Sequence, residues 1–245
     1  MIDIIRKQLE CFNEIEFKFD PKLHRYTYEG ETFISVTKYI EQFHKPFDEN
    51  YWSKRKAEEL GIEQQELILE WRRINNYANE IGTETHDWLE CYFKRQWKPL
   101  PTNLDVIHRI NKFNKVFATH LYKLEPLSFE VKVFSKKWKI AGMLDALFLY
   151  RGKIYILDWK TNKDFTTDET LAYKEKLLHP FEDYYKTHLN EYSIQISMYA
   201  LILKEWGFNV AGGYVVHMGP DDQEAKVYRC VDFTSILEKY LNGEL

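Results

Sequence analysis

The segment AGMLDALFLYRGKIYILDWK, residues 141–160, constrains the fold more than any other part of the chain. Residues 138–150 and 153–160 are two apolar runs rich in β-branched and aromatic side chains, separated by Arg151-Gly152. Such runs around a two-residue turn predict neighbouring antiparallel strands. Each run is interrupted by charge: Asp145 breaks the first, and Asp158 and Lys160 end the second. A side-chain period of two puts Asp158 and Lys160 on one face of their strand. The turn brings Asp145 towards Asp158. Two carboxylates side by side on a sheet repel unless a cation lies between them. Mg²⁺ takes a few carboxylates together with waters and phosphate oxygens. Lys160 can hold or deprotonate a water, or stabilise charge developing on a phosphate. These parts suit metal-assisted hydrolysis of a phosphodiester.

The flanking sequence supplies the remaining elements. SFEVKVF, residues 128–134, alternates as a strand does and extends the pair into a three-stranded meander. Residues 162–190 are polar and without clear period, which predicts a loop or a partly helical insertion. A helix follows from residue 191 to Gly207, then strands over 212–218 and 225–231, and a short closing helix. Before the meander, apolar residues at helical spacing predict helices within 51–96 and 103–123. The first 35 residues predict a short helix and a hairpin turning at Gly30, with Ser35 or Thr37 capping the next helix. The order helix, three strands, helix, strand predicts an α/β fold around a mixed sheet, with the last core strand entering through a helical crossover. A length of 245 residues suits a single domain. Within it we distinguish an N-terminal elaboration over 1–75, a core over 76–218 and a C-terminal strand and helix over 219–245.

Composition narrows the function. The formal net charge is −4, which argues against a protein that only coats nucleic acid and leaves room for an enzyme with local basic patches. Three scattered cysteines, Cys11, Cys91 and Cys230, cannot supply a four-cysteine zinc or iron–sulfur site, and they suit a reducing compartment. The charged N-terminus is no signal peptide, and no apolar run approaches the roughly 18 residues of a membrane span. We expect no membrane association and a location in the cytoplasm of a bacterial or phage-infected cell rather than in the mitochondrial matrix.

The segment from Gly142 to Thr161 resembles the core motif of the PD-(D/E)XK nucleases, in the RecB-like branch that includes phage exonucleases and the mitochondrial genome maintenance exonuclease. That branch reads GxxD, a hairpin, then DxKT; here these are Gly142, Asp145, Asp158, Lys160 and Thr161, with Leu144 where the nominal proline stands. IGTETHDWLE resembles the branch's helical G-x-x-x-H-x-x-x-E segment and implies that His86 is a metal ligand. Glu130 occupies the position of the acidic residue on the first core strand. QISMYALIL resembles the Q-x-x-x-Y motif and implies that Gln195 and Tyr199 sit near the active site and the DNA. The resemblance implies a restriction-endonuclease-like core of αβββαβ order. It also implies one or two Mg²⁺ or Mn²⁺ ions held by His86, Asp145, Asp158 and the carbonyl of Trp159. The catalytic set is then Asp145, Asp158, Lys160, Glu130, Gln195 and Tyr199. The iron–sulfur members of the branch need four flanking cysteines, so no cluster is expected.

The implied activity is a DNA exonuclease acting from ends, in repair, recombination or a phage setting. A structure-selective or single-strand endonuclease, a non-catalytic DNA-binding module on a nuclease fold, and an enzyme acting on RNA or nucleotides are the alternatives. Lys136, Lys137 and Lys139, with Lys132 and Trp138 among them, and Arg72 and Arg73 are candidate DNA contacts, as are Lys54, Arg55 and Lys56. No major-groove reading module is evident, so contact is expected to be largely sequence-independent. No P-loop is present, so a helicase, or a single-strand-annealing protein, would have to be a separate partner.

Overall fold

The computed structural model describes residues 2–13, 17–20, 25–166 and 175–245. Helix α1 (Ile2–Asn13) leads into strands β1 (Lys18–Asp20), β2 (Arg25–Tyr28) and β3 (Glu31–Ser35), then α2 (Val36–Ile40). Helices α3 (Glu49–Leu60), α4 (Gln64–Phe93) and α5 (Leu104–Val116) follow. The meander is β4 (Glu125–Ser135), β5 (Ile140–Tyr150) and β6 (Lys153–Lys160). The chain closes with α6 (His188–Glu205), β7 (Val210–His217), β8 (Lys226–Arg229) and α7 (Thr234–Leu241).

The predicted order of helix, meander, helix and strand is present, in a mixed sheet. β4, β5 and β6 are antiparallel, and β7 returns parallel to β6 after α6. The β5–β6 turn works because Arg151 and Gly152 both take positive φ, 49° and 75°, which matches the twist of a two-residue hairpin. Ser35 caps α2 by accepting the Lys38 amide at 3.1 Å. The expected insertion contains no helix over 162–166 or 175–187, and α6 starts at His188, three residues ahead of the predicted start. Residues 167–174 of that insertion and the Cys11 side chain lie outside the described residues. The boundary drawn at residue 75 falls inside the continuous helix α4, and β3 of the N-terminal part pairs with β5 of the core.

One consequence of β3 joining β5 decides where the site lies. β4 pairs with β5 from Glu125–Leu149 to Ser135–Ile140. The other edge of β5 is shared: β3 takes Ile140 and Ala141, and β6 takes Ala146 to Tyr150. β3 runs parallel to β5 and β6 antiparallel, so their C-terminal ends approach each other across residues 142–145. The sheet therefore opens at a fork, with Ser35 on one side and Lys160 on the other. Crevices at the C-terminal ends of strands where the sheet's connectivity changes are where open α/β folds bind ligands.

Helices cover both faces. On one, α6 with α1, α2 and α7 buries Leu144, Ile154 and Ile156 with Ile194, Met198 and Ile202. On the other, α4 and α5 bury Phe129, Ala146, Phe148, Leu157 and Trp159 under Leu89 and Phe113. The strand period therefore turns Trp159 towards α5 and its neighbours Asp158 and Lys160 towards α6. Phe113 is fully buried and meets Trp159 edge-on at 5.1 Å between ring centres. Phe113→Ala should cost about 3–5 kcal/mol of stability, as large-to-small changes in closed aromatic cores do. Guanidinium unfolding would measure it, and a loss below about 1 kcal/mol would mean that α5 is not closed over the sheet.

Candidate metal centre

Asp145 lies in the fork, one position beyond the last β5–β6 pair. Its Oδ2 accepts the Trp159 amide at 2.6 Å, in place of the backbone ladder that ends there. Its Oδ1 is 3.4 Å from Nδ1 of His86, which α4 brings in from the opposite face. Glu130 on β4 completes a group: one ligand atom each of His86, Glu130 and Asp145 lies within 4.8 Å of the others. Glu130 has a φ of +49°, unusual in a strand. A non-glycine residue held there costs on the order of 1–3 kcal/mol, which the paired and buried neighbours Phe129 and Val131 must hold.

Asp158 and Lys160 stand beside this group on β6. Asp158 is 3% exposed, and its Oδ2 is 2.8 Å from Lys160 Nζ. The ion pair keeps this buried oxygen beside the ammonium. Lys160 Nζ lies 4.5 Å from the centre of the Tyr192 ring. On α6, Gln195 Nε2 donates to the Tyr199 hydroxyl at 3.2 Å, and both residues are buried.

The charges are mutually dependent. Burial lowers the proton affinity of His86, but the Asp145 carboxylate overrides it and holds the imidazole up at about 9. Burial and the Asp145 charge push Glu130 up to about 8. Asp145 itself is held below the usual carboxylate range, because His86 and Lys160 outweigh its burial. Burial raises Asp158 to about 6 against the opposing pull of Lys160. Lys160 is raised, since Asp158 and Asp145 outweigh its burial, and it stays cationic. Three carboxylates in a space this dry face the Lys160 ammonium and the His86 imidazole, and burial with mutual repulsion raises the proton affinity of Glu130 and Asp158. A hard divalent cation can take the place of protons there. The donor set of two carboxylates and an imidazole fits such an ion, and the Asp158 carboxylate stands beside it.

The structure thus brings His86, Glu130, Asp145, Asp158, Lys160, Gln195 and Tyr199 to one fork. It groups Glu130, rather than Asp158, with His86 and Asp145. The Trp159 side chain is buried behind the site, with its amide committed to Asp145. Gly142 explains why GxxD and Q-x-x-x-Y belong together: a Cβ there would lie 2.6 Å from Cε1 of Tyr199. Gly82 similarly lets α4 approach Thr161, whose Oγ1 would be 3.2 Å from an added Cβ.

The basic candidates are elsewhere. Lys136 pairs with Glu29 at 3.2 Å, Lys139 with Glu31, and Lys137 bonds Asn242 at 2.8 Å. Their turn lies about 20 Å along β5 from Asp145, at roughly 3.3 Å per residue. Arg72 faces Glu49 at 3.7 Å and Arg73 faces Glu70 at 3.0 Å, about 20 Å up α4 from His86. Trp138 packs partly against the core, with Lys137 Nζ 4.9 Å from its ring centre. Sequence reasoning missed Tyr192, although its place three residues before Gln195 on one helix face could have found it. It also missed Arg109, a buried cation whose Nη2 reaches the Thr161 carbonyl at 3.5 Å.

No family model and no curated protein matches this chain. Among solved structures it is similar to a protein from Eubacterium rectale described as a putative exonuclease, at 12% identity and a TM-score of 0.44, over 69% of this chain and 68% of that one. It is also similar to SSO0001, at 15% identity and a TM-score of 0.34, over 99% of this chain and 82% of that one. Likenesses this distant leave the functional argument to the site itself. Among the described residues, no helix is long and apolar enough to cross a membrane.

Two outcomes follow from this geometry. Mn²⁺ should raise the melting temperature, by the equivalent of about 2.7 kcal/mol at a hundredfold excess over its dissociation constant. Asp145→Asn and Glu130→Gln should each lose most of that gain in calorimetry; equal gains in all three proteins would place the ion elsewhere. Gly142→Ala should cost about 1–3 kcal/mol by overpacking. Combined with Tyr199→Leu it should cost at least ~0.5 kcal/mol less than the sum of the two single changes. Strict additivity in a double-mutant cycle would deny the contact.

Proposed function

We propose that this chain is a metal-dependent nuclease that hydrolyses phosphodiester bonds of DNA from strand ends. The observation that carries the reading is the convergence of ligand atoms from His86, Glu130 and Asp145 beside the buried Asp158–Lys160 pair. His86, Glu130 and Asp145 would hold one Mg²⁺ or Mn²⁺, with Asp158 and the Trp159 carbonyl available to the same ion or a second one. The ion supplies positive charge against the phosphate and makes a bound water more acidic.

The protein's own groups do the rest. Asp145 is fixed by the Trp159 amide, which aims its other oxygen at His86. Lys160 retains its proton, because Asp158 and Asp145 hold its affinity up. It therefore acts as a cation that orients a water and stabilises charge on the phosphate, rather than as the base. Tyr192 carries Lys160 on its ring, and Gln195 with Tyr199 closes the α6 side. A largely sequence-independent DNA contact agrees with the lack of any reading module.

The test is a gel assay on end-labelled linear DNA and on circular single- and double-stranded DNA, with Mg²⁺, with Mn²⁺ and with EDTA. Linear DNA should be lost only with metal, and Lys160→Ala should be slower by about 10²-fold or more. Cut circles would make the enzyme an endonuclease, and intact wild-type reactions under every condition would sink the catalytic reading.

A further inference from the structure

Next to the fork is a cavity of about 190 Å³ that none of the site residues requires for holding a metal. It is bounded by Thr37 at the start of α2, by Phe43 and His44, and by Glu191, Tyr192 and Gln195 on α6. Its position follows from the topology. β3 ends at Ser35 on the side of the fork facing Lys160, and α2 begins at once. Tyr192 joins the two places, since its ring carries Lys160 Nζ at 4.5 Å and its side chain also lines the cavity.

The size and lining select an occupant. Pockets for drug-sized ligands run to roughly 300–1,000 Å³, so this one has room for a single small ring system. His44 offers ring surface, the buried Phe43 and Ile194 give apolar walls, and the Tyr192 ring, which stacks on Phe165 and carries Lys160, bounds the side towards the fork. Thr37, Glu191 and Gln195 offer polar groups, and Gln195 has its amide nitrogen already committed to Tyr199, leaving its carbonyl oxygen to accept. His44 Nε2 stands 3.7 Å from Glu191, beyond hydrogen-bond distance. The Glu191 carboxylate makes the cavity hostile to a phosphate, so the backbone of a nucleic acid would stay outside. A flat heterocycle with exchangeable protons on its edge matches the lining.

We propose that this cavity receives one unpaired nucleobase of the strand whose phosphate lies at Lys160. The inference rests on the nuclease reading of the neighbouring site. A base turned out of its stack can be read by ring contact and by hydrogen bonds to its edge, at a cost that is least when it is already unpaired. The enzyme would then require a single-stranded or frayed end and would sense whether a base is present there.

The experiment uses the full chain with single-stranded oligonucleotides carrying 2-aminopurine at successive positions from one end, in Ca²⁺ to suppress cleavage. Wild type should quench the fluorophore at one position. Thr37→Trp alters an exposed residue on the rim, and Ile40→Phe fills the cavity from beside it. Each should remove the quench and weaken binding by about ten-fold, with the Mn²⁺-induced rise in melting temperature unchanged. In Mg²⁺, an abasic nucleotide at the quenched position should slow wild-type cleavage by about ten-fold and leave the variants indifferent to it. Folded variants that quench as wild type does, or abasic DNA cut at the normal rate, overturn the proposal. Cleavage without a cavity-dependent quench removes the base site alone. Quenching without any cleavage keeps the base site and removes the nuclease reading.

Discussion

Asp145 is held by two contacts made in different directions, the Trp159 amide from β6 and the His86 imidazole from α4. Much of the candidate site depends on that arrangement. The amide contact ties the end of β6 to β5 where their ladder has stopped, while β7 still pairs with Asp158 and Lys160 on the other edge. The imidazole contact draws α4 across the open edge and brings a nitrogen ligand to a place that strands alone could not furnish. Trp159, packed among Phe93, Phe113 and Phe148, keeps β6 from rotating, and with it the facing of its two charged neighbours.

The fork is expensive to build. It leaves β5 unpaired on one edge over four residues and collects carboxylates in a region with little water. Buried charge of one sign is tolerated only with compensating protons, cations or hydrogen bonds. The raised proton affinities of Glu130 and His86 have the same cause, carboxylates crowded in a dry space, that a divalent ion would relieve. The positive φ at Glu130 is a second cost borne at the same place. Unfavourable backbone and unfavourable charge coincide here, at the place where the proposed chemistry would occur.

Much of this was legible in residues 141–160. Alternation and turn chemistry located the meander, and the period of two put Asp158 and Lys160 together. The split edge of β5 was not legible, because β3 lies over a hundred residues upstream and nothing local to either strand encodes their parallel pairing. For the same reason the lysines at 136–139 read as free cations: Glu29 and Glu31, which pair with two of them, come from the distant hairpin. Gly142 and Tyr199 belong to separate motifs in the sequence, and only the close approach of α6 to β5 shows that the glycine is there to admit the ring. Tyr192 had the right helical offset from Gln195 but no charge to draw notice. Its importance comes from Lys160 lying over it.

The central claim is that His86, Glu130 and Asp145 hold one ion between them. Anomalous diffraction from crystals grown with Mn²⁺ tests it most directly. One strong peak is expected, bonded to all three side chains at roughly the 2.0–2.2 Å typical of small divalent ions. A well-ordered site with the His86–Asp145 contact intact and no peak between the three residues, at saturating Mn²⁺, would contradict it.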